Sequence, residues 1–96
     1  MILEHAIFPI KEGQSKSFET AFAQARKFIE AAPGCHKAEM RACIERADYY
    51  LLLVWWETLE AHTEGFRKSP GFVEWRTLLG PYFAAPPEVH HYQLPL

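Results

Sequence analysis

The stretch YYLLLVWW, residues Tyr49–Trp56, decides the fold of this 96-residue chain. Its odd-numbered and even-numbered positions are equally apolar: Leu51, Leu53 and Trp55 against Leu52, Val54 and Trp56. Successive side chains of a β-strand point to opposite faces of the sheet, so a strand of this composition needs cover on both faces. The stretch therefore predicts the central strand of a sheet that is buried on two sides.

The segments on either side of this strand alternate between strand and helix patterns. Three further strands are predicted: Met1–Ile10, His36–Glu45 and Val89–Leu94. Three helices are predicted: one over Ser15–Ala32, one that begins at Thr58 and one that begins at Ser69. The order β-α-β-β-α(α)-β predicts one α+β domain over residues 1–96. Its four-stranded antiparallel sheet would be ferredoxin-like, with the helices on one face.

The face of the sheet away from the helices has no cover within so short a chain. The sequence is 49% hydrophobic, which is more apolar material than a domain of this size hides easily. The economical cover is the same sheet of a second copy, packed face to face. We therefore predict a homodimer that pairs through this sheet face.

Charge and targeting signals exclude several classes of partner. A formal net charge of −2 gives no electrostatic reason to expect nucleic acid or an anionic membrane. The longest apolar run, Leu51–Trp56, is far too short to span a bilayer, and the N-terminal segment lacks the pattern of a signal peptide. Cys35 and Cys43 match no metal-ligand spacing, which favours a reduced, cytoplasmic setting.

Four segments of the chain resemble the antibiotic-biosynthesis monooxygenase domain family. They are the opening MILEHAIFPIKEGQ, the run YYLLLVWWETLEAH, then GFRKSPGFVEW, and VHHY near the end. The most specific part is VWWETLEAH followed by S-P-x-F. The resemblance implies a dimeric α+β barrel with a pocket between the sheet and the helices of each subunit. It also implies one of several activities, because the family includes cofactor-free oxygenases of polyketide quinols and anthrones, haem-degrading enzymes and an isomerase.

The resemblance also implies roles for single residues. Trp56 matches the tryptophan that ends the central strand and enters the pocket, and His5 falls where several members carry a polar residue. Arg76 stands where the haem-degrading branch has its axial histidine, and a guanidinium does not ligate iron. Gly65 and Gly71 stand where many quinol-oxidising members have histidine. Haem is therefore disfavoured, and the pocket lining differs from that of the known oxygenases.

Three histidines on separate elements, His5, His62 and His91, are candidates for proton transfer, since imidazole titrates near neutral pH. His5 shares strand parity with Leu3 and Ile7 and would face the pocket if that side of the strand packs on the helices. A plainer interpretation makes His5 a partly exposed residue at a strand end and His62 a hydrogen-bonded structural residue. A metal site is disfavoured, since the one adjacent histidine pair of the chain points to opposite faces of a strand.

Aromatic and basic residues complete the predicted pocket. Trp56, Phe66, Trp75 and Tyr82 would form an apolar wall against which a flat aromatic ligand stacks. Arg67 and Arg76 could each hold a carboxylate or enolate oxygen, although arginine on a helix is more often simply solvated. We predict that His5, Trp56 and His62 border one cavity, with His91 as a fourth member.

The family resemblance, together with the paired His and Trp residues, implies a cofactor-independent monooxygenase for a small aromatic or polyketide-like quinol or anthrone. Such an enzyme needs a base, hydrogen bonds to the substrate anion and a dry pocket, with no haem, flavin or metal. His5 or His91 would be the base, and the Trp56 indole N–H would donate to a substrate oxygen. Two alternatives stay open on the same residues. One is a non-catalytic domain, stress-linked or binding a small hydrophobic ligand, and the other is an isomerase.

Overall fold

The computed structural model describes all of residues 1–96 and contains a single four-stranded sheet with helices on one side. The elements in chain order are β1 (Ile2–Pro9), α1 (Ser15–Glu30), β2 (Cys35–Ala42), β3 (Tyr49–Trp56), a π-helix (Ala61–Phe66), α2 (Pro70–Leu79), a 3₁₀ turn (Gly80–Tyr82) and β4 (Glu88–Tyr92). The predicted ferredoxin-like α+β fold is confirmed.

The strands lie in the order β2-β3-β1-β4, and every neighbouring pair is antiparallel. β3 is therefore an inner strand, as its two-sided apolar pattern predicts. In the pairing of β1 with β3, Ile2 lies opposite Trp56 and Glu4 lies opposite Val54. Even-numbered residues of both strands consequently share the face that packs against the helices.

The hydrophobic core lies between that face and the two α-helices. Its largest fully buried side chains come from every layer: Trp56, Leu52 and Val54 from β3, Phe18 and Ile29 from α1, Phe66 from the π-helix and Leu79 from α2. Burial of such side chains contributes about 1.5–3 kcal/mol each before the entropy of ordering them is counted. The core thus holds the helices against the sheet along the whole of β3, from Tyr50, which packs on Phe18, to Trp56.

After β3, helical turns begin near Thr58 and Ser69 as predicted, but the first of them is not a regular α-helix. Thr58 Oγ1 accepts a hydrogen bond from the Ala61 N–H at 3.1 Å, as the predicted cap would. The chain then widens into a π-helix, closed by a hydrogen bond from the Arg67 N–H to the His62 carbonyl at 3.0 Å. Ser69 caps α2, since its Oγ accepts from the Phe72 N–H at 3.3 Å.

The other face of the sheet has an apolar centre and polar edges. Its central residues are only half-buried in a single chain: Leu3, His5 and Ile7 of β1 and Leu51, Leu53 and Trp55 of β3. Charged residues of the two outer strands flank this strip, among them Lys37 and Arg41 on β2 and Glu88 on β4. None of the helices combines the length and the apolar character that crossing a bilayer requires.

Gly34 has the least space for a side chain among the five glycines and gives a stability prediction. Its φ is +87°, and a Cβ placed on it would lie 2.7 Å from the Ala61 Cβ. We expect Gly34→Ala to lower the free energy of unfolding by about 2–5 kcal/mol, because left-handed backbone strain and overpacking add. Urea denaturation followed by tryptophan fluorescence measures this loss.

Gly13→Ala is the matched control for that measurement. Gly13 also has a positive φ, +76°, but a Cβ there would meet no atom within 4 Å. Gly13→Ala should therefore lower the free energy of unfolding by only about 1–2 kcal/mol, from backbone strain alone. Equal losses for the two variants would show that the close approach to Ala61 does not constrain the fold.

Candidate active site

A cavity of about 220 Å³ lies between the helix-facing side of the sheet and the helices. Of its 13 lining residues, 8 are hydrophobic, so its walls are mainly apolar, with Phe66 and Trp75 among them. The polar residues on its surface are few: Glu4, His62, Arg67 and Arg76. An apolar cavity with a few convergent polar groups is the usual form of a small-molecule site.

Glu4 is the most unusual residue of this cavity. It lies in the middle of the sheet on β1, with only 3% of its surface exposed. Its Oε1 accepts a hydrogen bond from the Trp56 indole N–H at 2.9 Å. Burial raises the pKa of this carboxyl to about 7, although the Trp56 hydrogen bond and the charge of Arg67 oppose the rise. Glu4 is therefore a carboxyl that gains and loses its proton near neutral pH.

His62 lies next to Glu4 and is equally buried, at 3% exposure. Its ring stacks on the Trp56 indole, with centroids 5.1 Å apart and an interplanar angle of 13°. Its Nε2 lies 3.4 Å from Glu4 Oε1. Burial, followed by the positive charge of Arg67, lowers the pKa of His62 to about 3. The imidazole is thus neutral at physiological pH, with one ring nitrogen able to donate a proton and the other able to accept a hydrogen bond.

Glu4 and His62 are buried side by side, and burial moves their pKa values in opposite directions. With pKa values of about 7 and about 3, the two groups together hold one proton across the intervening pH range. Near pH 7 the pair exists in comparable amounts with and without that proton. This is the protonation behaviour that a general base needs at neutral pH.

His91 extends the Glu4–His62 pair towards the surface. It lies opposite Glu4 in the pairing of β1 with the outer strand β4, and it is partly exposed. Its Nε2 is 2.8 Å from His62 Nδ1, so the two rings share a hydrogen bond whose donor is set by the tautomers. Burial lowers the pKa of His91 as well, with Arg67 and His90 acting in the same direction. A continuous line of polar atoms therefore runs from Glu4 through His62 to solvent.

Sequence comparison identifies the family to which this fold and site belong. The sequence profile of the antibiotic biosynthesis monooxygenase family matches residues 1–78 of the chain. The chain belongs to this family. A solved structure that matches over nearly the whole chain agrees with that assignment.

One relative is the uncharacterized Bacillus subtilis protein YczJ, 45% identical over 93 residues that cover 97% of this chain and 98% of YczJ. A crystal structure of a proposed antibiotic biosynthesis monooxygenase from Bordetella bronchiseptica is 43% identical, with a TM-score of 0.94 over 99% of this chain and 97% of its own. SnoaB of Streptomyces nogalater, a cofactor-independent oxygenase, has a TM-score of 0.84 over 99% of this chain and 93% of its own. SnoaB is only 19% identical, so that likeness shows the fold alone.

The structure brings several of the predicted site residues together. Phe66, Trp75 and Arg76 line the cavity, and His62 reaches it directly. Trp56 is fully buried behind His62, which it orients by stacking, and does not itself line the cavity. Whether these residues act in catalysis stays a prediction.

The prediction that Tyr82 forms part of the cavity wall is wrong, since Tyr82 is not among the lining residues. It follows α2 in the 3₁₀ turn, and its ring meets the edge of Phe18 with centroids 6.4 Å apart. The short turn directs the side chain towards α1 and away from the lining residues. Phe83, the next residue, lines the cavity in its place.

The predicted position of His5 beside Trp56 on the helix side is wrong. His5 lies opposite Leu53 and His90 in the strand pairings and faces the side of the sheet without helices. There its ring meets the edge of Tyr92, with centroids 5.7 Å apart. Both parities of β1 are apolar, so hydrophobic pattern did not distinguish the two faces.

Glu4 is the site residue that sequence reasoning missed. Ionisable carboxylates are rarely buried, so the pattern of β1 gave no reason to place Glu4 in the core. The available signal was the strand register, since a pairing of even with even positions places Glu4 on the face of Trp56. Pattern alone does not choose between that register and one shifted by a residue.

The residues present do not form a metal centre. No group of three or more His, Cys, Asp or Glu side chains is arranged to hold one ion. His62 explains why, since its two ring nitrogens point to different partners, Glu4 and His91. The predicted absence of haem, flavin and metal from the purified protein stays a prediction.

The Glu4–His62 pair gives a distinctive pH dependence of stability. The raised pKa of Glu4 favours the folded state below pH 4.5, and this contribution is lost as the pH rises towards 7. The lowered pKa of His62 favours the folded state above pH 6.5, and this contribution is lost as the pH falls towards 3. Between pH 4.5 and 6.5, Glu4 makes the free energy of unfolding fall with rising pH and His62 makes it rise, so the two contributions nearly cancel.

Glu4→Gln should uncover the slope that His62 contributes. We expect the free energy of unfolding of this variant to rise by up to about 1.4 kcal/mol per pH unit between pH 4.5 and 6.5. Wild type and Glu60→Gln, which removes an exposed carboxylate, should show no such difference from each other. Urea unfolding at three pH values measures the slopes. Parallel slopes for Glu4→Gln and wild type would show that the two pKa shifts do not oppose each other.

Proposed function

We propose that this protein is a cofactor-independent monooxygenase that acts on a small aromatic or polyketide-like quinol or anthrone. The observation that carries the proposal is the buried Glu4–His62 pair in the wall of an apolar cavity. Membership of the antibiotic biosynthesis monooxygenase family supports the same reaction class. The cofactor-independent oxygenase SnoaB shows that the shared fold suits such chemistry.

The reaction needs a base because the substrate itself supplies the electrons. Removal of a proton from an anthrone or quinol leaves an electron-rich anion, which passes electrons to O₂. For an anthrone, the CH₂ carbon is oxidised to a carbonyl and O₂ is reduced. One oxygen atom enters the carbonyl and the other leaves in water. A quinol balances in the same way: one oxygen atom replaces a ring hydrogen, the ring is oxidised to a hydroxyquinone, and the other oxygen atom leaves in water. Neither reaction needs a further reductant.

Glu4 is the group we assign as the base, with His62 as its partner. At neutral pH the pair is partly without its proton, so Glu4 can accept one from a substrate held in the cavity. The hydrogen bond between His62 and His91 gives that proton a route towards solvent and back to the reduced oxygen. The pair therefore serves both the deprotonation and the later protonation.

Trp56 has a positioning role in this assignment. Its indole N–H is already donated to Glu4 Oε1, so it is not free for the predicted donation to a substrate oxygen. The same indole stacks on His62. Trp56 thus holds the carboxyl and the imidazole in fixed orientations, while Phe66 and Trp75 supply the apolar walls that exclude water.

Oxygen uptake with a panel of quinols and anthrones tests the proposal. We expect wild type to consume O₂ with at least one of these compounds. Glu4→Gln should lower kcat by about 10²–10⁴-fold, the usual contribution of a general base. A parallel anaerobic incubation separates the isomerase alternative, since enolisation of a ketone consumes no O₂.

His5→Ala is the matched control for the oxygen assay. It removes a histidine from the same strand, one residue along the chain, but from the opposite face of the sheet. Its turnover should stay within about twofold of wild type. No O₂ uptake with any compound, or equal activity of Glu4→Gln and wild type, would contradict the proposal.

We further propose that two chains pair through the sheet face that the helices leave open. The half-buried strip of Leu51, Leu53 and Trp55 lies at the centre of that face, and charged side chains surround it. An apolar centre with a polar rim is the usual anatomy of a protein interface. Face-to-face packing of two sheets would bury the strip.

Sedimentation velocity at micromolar concentration should therefore show a dimer. Leu53→Asp should abolish it, with aggregation or unfolding as a result, because a charge would enter the apolar strip. Ile44→Asp is the control, since Ile44 is 96% exposed in the loop between β2 and β3. A wild-type monomer at this concentration would refute the proposed pairing.

A further inference from the structure

Two arginines line the cavity without a direct ion pair to any carboxylate, although the charge of Arg67 acts on Glu4 from a distance. Arg67 and Arg76 both line the cavity, and both are solvent-exposed, so the cavity reaches the surface beside them. Neither guanidinium forms an ion pair with a carboxylate of the chain. Arg76 lies instead over the Phe72 ring, 5.8 Å from its centroid. The mouth of the cavity is therefore positive and apolar at once.

The inner end of the cavity has the opposite character. Glu4 lies there, almost fully buried, and becomes negative as it loses its proton near neutral pH. An anionic group on a ligand would be repelled at that end and attracted at the mouth. The two ends thus select one orientation, in which the acidic group faces outward and the ring faces Glu4.

The volume of the cavity limits the size of that ring. A cavity of about 150 Å³ accommodates one benzene molecule. At about 220 Å³, this cavity is roughly one and a half times as large. It therefore suits one substituted ring or two fused rings, and a third fused ring would extend past the mouth.

We propose that the ligand of this cavity is an aromatic acid of one or two rings, bound with its carboxylate at Arg67 and Arg76. Planar guanidinium groups match a carboxylate with two parallel hydrogen bonds. The inference deepens the proposed function, on which it rests for the ring hydroxyl that would face Glu4, and it narrows the proposed substrates to the quinols, since an anthrone has three fused rings. Binding itself requires no oxygenation and is measured separately.

Isothermal titration with redox-inert probes tests this assignment. The probes are 2-naphthoate and its neutral isostere 2-naphthamide, with anthracene-2-carboxylate as the three-ring member. We expect 2-naphthoate to bind at least about tenfold more tightly than 2-naphthamide. Anthracene-2-carboxylate should bind more weakly than 2-naphthoate, and added salt should weaken binding of the acids but not of the amide.

Variants assign the preference to the two arginines. Arg67→Gln/Arg76→Gln should bind acid and amide with equal affinity. Arg26→Gln removes the same charge from an exposed position on α1 and should keep the tenfold preference. Circular dichroism of each variant shows whether it is folded, and the salt dependence of wild type gives an independent measure of the charge contribution.

Several outcomes would overturn the assignment. They are equal binding of acid and amide to wild type, a preference that survives in the double variant, or no binding of either probe. None of them bears on the oxygen assay, since these probes are not oxidised. Conversely, acid-selective binding without O₂ uptake would leave the ligand class in place and refute the monooxygenase activity.

Discussion

The hydrogen bond from the Trp56 indole to the Glu4 carboxyl is the interaction on which the site depends. A carboxyl in the middle of a sheet is tolerated only if its oxygens find partners, because leaving a buried polar group unpaired costs several kcal/mol. Trp56 supplies one partner at 2.9 Å, and His62 lies 3.4 Å away. No buried side-chain nitrogen or oxygen of the chain is left without a hydrogen-bond partner. The polar cluster is therefore part of the packed core.

The π-helix after β3 places one member of this polar cluster, His62, against Trp56. This helix spans Ala61–Phe66, and the buried His62 ring stacks on the Trp56 indole. The wider turn is accommodated because Gly34 has no side chain at the point where Ala61 approaches. The Ser69 cap then ends the irregular segment and starts α2, which carries Trp75 to the cavity. π-helical turns are often found at functional sites, and here the turn bears the central imidazole.

The sequence determined the fold more fully than it determined the site. Tyr49–Trp56 could be assigned to an inner strand, because a strand that is apolar at both parities needs cover on both faces. The face on which His5 lies could not be assigned, since β1 is apolar at both parities and a one-residue shift of register exchanges its faces. His62 was recognised from its helical spacing with Phe66, which reports on a single element. Glu4 needed the pairing of two strands far apart in the chain, and such long-range register is a tertiary property.

The energy of Glu4 argues that its position reflects function. A carboxyl whose pKa is raised from 4.5 to about 7 destabilises the folded state by about 3 kcal/mol once it is ionised. A domain of this length typically has a total stability of about 5–14 kcal/mol. An apolar or amide side chain at the same place would avoid the penalty, so the hydrophobic core gives no reason for a glutamate. Residues that lower stability in this way are concentrated at sites where activity requires them. Glu4 lies in the wall of the cavity, next to His62, so the proposed role as a base would explain its presence, whereas packing does not.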